Sequence, residues 1–169
     1  MIVAGGGTGG HFFPAQTICK SLRSKGVKVK YIGSLYGIES NYFNINSPEA
    51  TLLNIRGIQR NFNLNACMIN FLFPWRFMQS YFQSRKIITK FKPHVVIGTG
   101  GYSSGLPLLA AIHKGVKTVI HEQNSFPGMT TRKLGGKVNK VCIAFEDAKD
   151  HFKKKTLFSQ GILCGKIFG

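Results

Sequence analysis

Acids are scarce in this chain: 6 Asp and Glu stand against 23 Lys and Arg in 169 residues, a formal net charge of +17. Such an excess implies an anionic partner, whether nucleic acid, a phosphorylated ligand or an anionic membrane. Cysteine is sparse too. Cys19, Cys67, Cys142 and Cys164 show neither C-x-x-C nor zinc-like spacing, which argues against a redox motif or metal knuckle and suits a reducing cytoplasm. Long apolar runs are missing. The opening one stops at Ala4, so no signal peptide is expected, and "ACMINFLFPWRFM" is broken by Asn70, Pro74 and Arg76, short of the roughly 20 residues a spanning helix needs. Internal repeats and low-complexity linkers are absent as well.

What the chain does have is alternation. β-type runs at residues 2–4, 27–32, 51–55, 94–98, 117–122 and 140–145 are separated by segments expected to turn helical near Pro14, Gly37, Leu64, Ser104, Met129 and Glu146. Pro14 and Pro107 suit first helical turns, and Gly26 and Gly115 suit C-terminal caps. This rhythm predicts an α/β fold with a doubly wound, Rossmann-like parallel sheet, and the length suits one core.

In such a sheet, ligands bind beyond the carboxyl ends of the strands, commonly between the first and fourth. Three loops fall there: "GGGTGGH" (Gly5–His11), "GTGGYSSG" (Gly98–Gly105) and "HEQN" (His121–Asn124). Glycines let backbone N–H groups approach a phosphate or sugar, and the helix that follows offers its positive end. Gly5, Gly7 and Gly10 satisfy G-x-G-x-x-G, but the second strand ends in "IGSLYG" with no acid for a ribose hydroxyl, and Glu39 comes too late. A P-loop is excluded because no glycine loop ends in Lys followed by Ser or Thr. His11, at the exit of the first loop, is the candidate general base. His121 reads as a hydrogen-bonded core residue, and His94, His113 and His151 as surface residues without ligand spacing, so no metal is expected. Glu122, Gln123 and Asn124 are delivered to the same crevice, where acids and amides suit a hydroxyl-rich ligand.

Residues 64–92 carry a second signal. Met68, Leu72, Trp75 and Phe82 would share one helical stripe, and Ile69, Phe73, Phe77 and Tyr81 another. One face can be core. The other needs a partner, and the surrounding Arg56, Arg60, Arg76, Arg85, Lys86, Lys90 and Lys92 suggest an anionic bilayer surface.

The stretches "GGTGGHFFPA", "KPHVVIGTGGYSSGLP" and "TVIHEQNSFPGMTTRKLG", in order and suitably spaced, with "IRGI" ahead of the amphipathic segment, resemble the MurG family of membrane-associated N-acetylglucosaminyltransferases of peptidoglycan synthesis. The resemblance spans nearly the whole chain and implies the N-terminal half of a two-domain GT-B glycosyltransferase. It implies that this half binds lipid I while the other holds most of the UDP-GlcNAc, in an inverting transfer to the MurNAc C4 hydroxyl that gives lipid II. By the same resemblance His11 is the base; Thr8, Gly9, Gly10 and Asn124 touch the donor; Gly100, Gly101, Tyr102, Ser103, Glu122 and Gln123 form the acceptor side; and Leu72, Trp75, Arg76 and Phe82 dock on the membrane. The implied partners are UDP-GlcNAc, undecaprenyl-linked lipid I and the anionic inner-membrane surface, reached peripherally from the cytoplasm, with no cofactor and no nucleic acid.

Residues 1–158 carry this resemblance and 159–169 depart from it. The family leaves its first domain through Gly-Asn-Pro-x-Arg, whereas this chain ends "TLFSQGILCGKIFG", so the donor domain is expected to be absent. Codons for "SQGILCG" can be chosen that read Ser-Gly-Asn-Pro-Val-Arg in another frame, so 159–169 is expected to be an out-of-frame tail; the gene's nucleotides decide. Alone, this half is expected to lack turnover. Two other readings stay open: the acceptor-binding subunit of a split transferase that recruits a separate donor-domain chain, and a Rossmann-type nucleotide-dependent enzyme.

Overall fold

The computed structural model describes residues 1–44, 47–58, 68, 70–152 and 157–159. Seven strands, β1 (Ile2–Ala4), β2 (Lys30–Ser34), β3 (Ala50–Leu53), β4 (Val95–Gly98), β5 (Lys117–Glu122), β6 (Lys140–Ile143) and β7 (Leu157–Ser159), form one sheet in the order β3-β2-β1-β4-β5-β6-β7. Every pairing is parallel. The strand order reverses between β2 and β4, on either side of β1, which is the switch point expected of a doubly wound sheet. Helices α1 (Gly9–Ser24), α2 (Phe73–Phe91), α3 (Tyr102–His113) and α4 (Met129–Gly135) cover it, with 3₁₀ turns at Ile38–Asn41 and Glu146–His151.

The central residues of the strands are mostly apolar on both sides because both faces of the sheet are covered, with polar residues such as Lys30, Lys117 and Glu122 at the strand ends. Side chains alternate between two cores: Ile2, Ala4, Val96 and Ile120 pack with α2 and α3 residues on one side, while Val3, Tyr31 and Ile97 pack with Phe12, Ala15, Ile18 and Leu22 of α1 on the other. Burying Ser80, Ser84 and Ile88, α2 lies against α3.

Several boundaries differ from the expected ones, for local reasons. β2 begins three residues late because the Val27 N–H closes the end of α1 on the Leu22 carbonyl (3.0 Å), with Gly26 at φ +75°. The strand then continues to Ser34, since Gly33 and Ser34 pair with Leu52 and Leu53. α1 and α3 start on their glycine loops, at Gly9 and Tyr102, so Pro14 and Pro107 lie inside the helices and not in their first turns. The expected helix near Gly37 is a single 3₁₀ turn. The short edge strand β7 has no counterpart in the periodicity. An expected helix start at Leu64 falls outside the described residues, as does the tail beyond Ser159.

Candidate functional site

The three loops meet at the carboxyl ends of β1, β4 and β5. Thr99, just past β4, donates its N–H to the Ala4 carbonyl (2.9 Å) and its hydroxyl to the His11 carbonyl (2.7 Å), so the second glycine loop is fastened to the first turn of α1. The Thr99 carbonyl lies 3.0 Å from His11 Nδ1, and Gln123 Oε1 lies 3.3 Å from the same atom. A carbonyl only accepts, so Nδ1 carries a proton, and in the neutral ring that leaves Nε2 with its lone pair. Gln123 is oriented in turn by its own Nε2–H, which donates to the His121 carbonyl at 2.8 Å. The half-buried imidazole of His11 is thus locked in the tautomer a general base needs. Glycine is required beside it: a Cβ on Gly100 would sit 2.6 Å from His11 Nδ1, and Gly101, at φ +74°, would drive one into the Gly6 carbonyl.

Glu39 is a residue of the site that spacing does not reveal. It is fully buried; Oε2 accepts the Gly7 N–H (2.9 Å) and Oε1 the Ser34 N–H (2.7 Å). A carboxylate therefore occupies the amide that a phosphate would otherwise claim in a dinucleotide-binding loop, and that amide is unavailable to a ligand. The only hint in the sequence is an acid shortly after a strand in a chain with just 6 of them. Thr99 is also missed by motif matching, although the repeated Thr-Gly-Gly of both glycine loops marks its position.

The expected acceptor residues divide into two groups. Tyr102 reaches the surface of the cleft, its ring packed where a Cβ on Gly7 or Gly57 would come within 2.7 Å or 3.2 Å of it. Ser103 and Glu122, expected to face the acceptor, are instead buried. Glu122 Oε1 takes both the N–H (3.1 Å) and the side-chain amide (2.9 Å) of Asn124, so it shapes the loop and leaves the Asn124 carbonyl oxygen outward. Glu122 Oε2 and Ser103 Oγ are buried without a hydrogen-bond partner among the described residues. On the expected donor side, Thr8 and Gly10 are exposed, and a Cβ on Gly10 would meet nothing within 4 Å, leaving room for a ligand to approach the backbone. Gly9 lies between them at the start of α1.

Burial holds the pKa of His121 below the ordinary histidine value, opposed by the nearby Glu122 carboxylate. Its Nδ1 accepts from Gln123 Nε2 at 2.6 Å, which also requires an unprotonated nitrogen. The unfolded chain then binds the proton more readily than the folded one, so this stability is present above about pH 6.5 and is lost as pH falls through and below that value. Urea unfolding should show the midpoint falling between about pH 7 and pH 5. His121→Asn, which keeps an acceptor for Gln123 but does not titrate, should flatten that slope; an unchanged slope would remove His121 as its source.

On α2 the two expected stripes separate. Phe73, Phe77 and Tyr81 pack against the core, whereas Leu72, Trp75 and Phe82 are exposed, Trp75 at 72%; Ile69 lies outside the described residues. Arg76, grouped with that exposed face by its sequence position, points elsewhere: its guanidinium lies 5.6 Å from the ring of Tyr36 and its Nη1 is buried. Among the described residues, no His, Cys, Asp or Glu cluster could hold a metal, and no helix is long and apolar enough to cross a membrane.

Residues 1–143 match the glycosyltransferase family 28 N-terminal domain. Among curated relatives, the UDP-N-acetylglucosamine–N-acetylmuramyl-(pentapeptide) pyrophosphoryl-undecaprenol N-acetylglucosamine transferase of Christiangramia forsetii is 42% identical over 162 residues, covering 94% of this chain and 43% of the relative. The enzyme of the same name from Latilactobacillus sakei is 42% identical over 153 residues, covering 89% of this chain and 42% of the relative. The crystal structure of Acinetobacter baumannii MurG superimposes with a TM-score of 0.76 at 28% identity, over 94% of this chain and 44% of that one. The chain thus spans less than half the length of the proteins it matches.

Proposed function

The chain belongs to the glycosyltransferase family 28 N-terminal domain family, and from that premise we propose that it is the acceptor-binding half of an inverting transferase. The reaction moves N-acetylglucosamine from UDP-GlcNAc to the C4 hydroxyl of the muramyl sugar on undecaprenyl pyrophosphate. The observation that carries this reading is the His11 imidazole, whose Nδ1–H is held by Thr99 and Gln123 at the mouth of the loops. Nε2 takes the hydroxyl proton as the oxygen bonds to the anomeric carbon, and the bond from that carbon to the UDP phosphate breaks with its electron pair leaving on UDP. Thr8, Gly9, Gly10 and Asn124 border the donor, and Gly100, Gly101 and Tyr102 the acceptor; Ser103, Glu122 and Gln123 support them from beneath. Leu72, Trp75 and Phe82 dock on the anionic cytoplasmic face of the inner membrane, adding apolar burial to the charge attraction of a +17 chain.

The test is a chimaera in which residues 1–158 are joined to the C-terminal half of the C. forsetii relative. Given radiolabelled UDP-GlcNAc and the undecaprenyl-linked muramyl-pentapeptide acceptor, it should yield the disaccharide lipid, while the chain alone should yield none. A folded chimaera that binds UDP-GlcNAc yet transfers nothing would defeat the proposal.

A further inference from the structure

We propose that Arg56 and Arg76, gathered on the ring of Tyr36, form a binding site for a diphosphate ester, which on the reading above is the pyrophosphate of the polyprenyl-linked acceptor. Three separate elements bring the groups together. Tyr36 follows β2, Arg56 follows β3, and Arg76 is in the first turn of α2. The Arg56 guanidinium carbon lies 4.0 Å from the Tyr36 ring centroid and that of Arg76 lies 5.6 Å from it. The ring itself is fixed: its hydroxyl donates to Asn54 Oδ1 (2.9 Å), and the Asn54 amide reaches Gln79 Oε1 on α2 (3.4 Å). Below it, Ser34 Oγ bonds the Ile55 carbonyl (2.7 Å) and accepts the Tyr36 N–H (3.0 Å), setting the positions from which Tyr36 and Arg56 project.

Two cations sharing one aromatic ring repel each other, and neither arginine has an ion-pair partner among the described residues. Glu39, the acid on the same loop, has both oxygens committed to backbone amides. Arg76 Nη1 is buried with no acceptor among the described residues, an expensive state for a charged donor unless an anion completes it. Guanidinium forks match the several oxygens of a diphosphate, which a spread of single lysines would not.

Position identifies the ligand further. Trp75, next to Arg76, is exposed on the apolar face of α2, while Gly57, next to Arg56, lies against the ring of Tyr102 in the second glycine loop. An amphiphile would lay its hydrocarbon on Leu72 and Trp75, its diphosphate on the two arginines, and its sugar over the glycine loops towards His11.

Vesicle co-sedimentation with the full chain tests this, using phosphatidylcholine vesicles that carry either undecaprenyl diphosphate or phosphatidylglycerol at matched surface charge. The wild type should bind the diphosphate vesicles about tenfold more tightly, and inorganic pyrophosphate should compete better than phosphate. Arg56→Gln/Arg76→Gln should lose that preference with phosphatidylglycerol binding changed less than about twofold. Arg56→Lys/Arg76→Lys, which keeps charge and stem packing but not the fork, should lose at least threefold of it, with circular dichroism matching wild type. No preference in the wild type, or equal losses on both vesicles, would overturn the site. Binding is read without turnover, so an inactive chimaera with intact diphosphate preference counts against the transferase reading alone, and an active one without the preference counts against this site alone.

Discussion

Glu39→Ala should lower the unfolding free energy by about 2–6 kcal/mol, because it strips the acceptor from two N–H groups and each buried donor left unpaired costs about 1–3 kcal/mol. Those donors are Gly7 and Ser34, and the carboxylate that serves them is fully buried. Water would have to enter to replace it, in a space shaped for one side chain: a Cβ on Gly33 would already come within 2.8 Å of Glu39 Cγ. Glu39→Gln keeps one acceptor oxygen but turns an NH₂ towards the other amide, so it should recover only part of the loss. Urea titrations of the three proteins at one pH decide this. A change below about 0.5 kcal/mol for the alanine variant would mean that the two amides find other partners.

His11→Ala in the chimaera should lower kcat by about 10²–10⁴-fold, the usual worth of a positioned proton acceptor. The KM for the acceptor should stay within a few-fold, because in the proposed role the ring meets only the reacting hydroxyl and not the parts of the substrate that supply binding. The variant should fold normally, since α1 is anchored by Thr99 Oγ1 on the His11 backbone carbonyl and not by the ring alone. A kcat within tenfold of wild type would take the base away from His11 and leave the glycine loops as a binding device.

The first six strands along the chain and the three loops are legible from residue pattern because they depend on local chemistry: apolar runs, glycines and caps. The contacts that decide the site are not local. Glu39 meets Gly7 across 32 residues, and Thr99 meets His11 across 88. Backbone N–H and C=O groups supply half of each pair, and every residue has them, so side-chain motifs are silent. Arg76 departs from expectation for another reason. Sequence position groups it with Trp75 in the membrane-docking set, yet neighbours on a helix diverge by about 100°, so Trp75 points outward as expected while Arg76 turns to Tyr36. Glu122 looks like a ligand contact because acids suit sugars; burial instead makes it the brace of Asn124.

Thr99 holds His11 at both its carbonyl and its ring nitrogen. The His11 imidazole is therefore held to the loop that follows β4 and cannot reorient without breaking that contact. A shift of that loop would therefore carry the imidazole with it, so on the proposed role of His11 the position of one half of the cleft also sets the aim of the base.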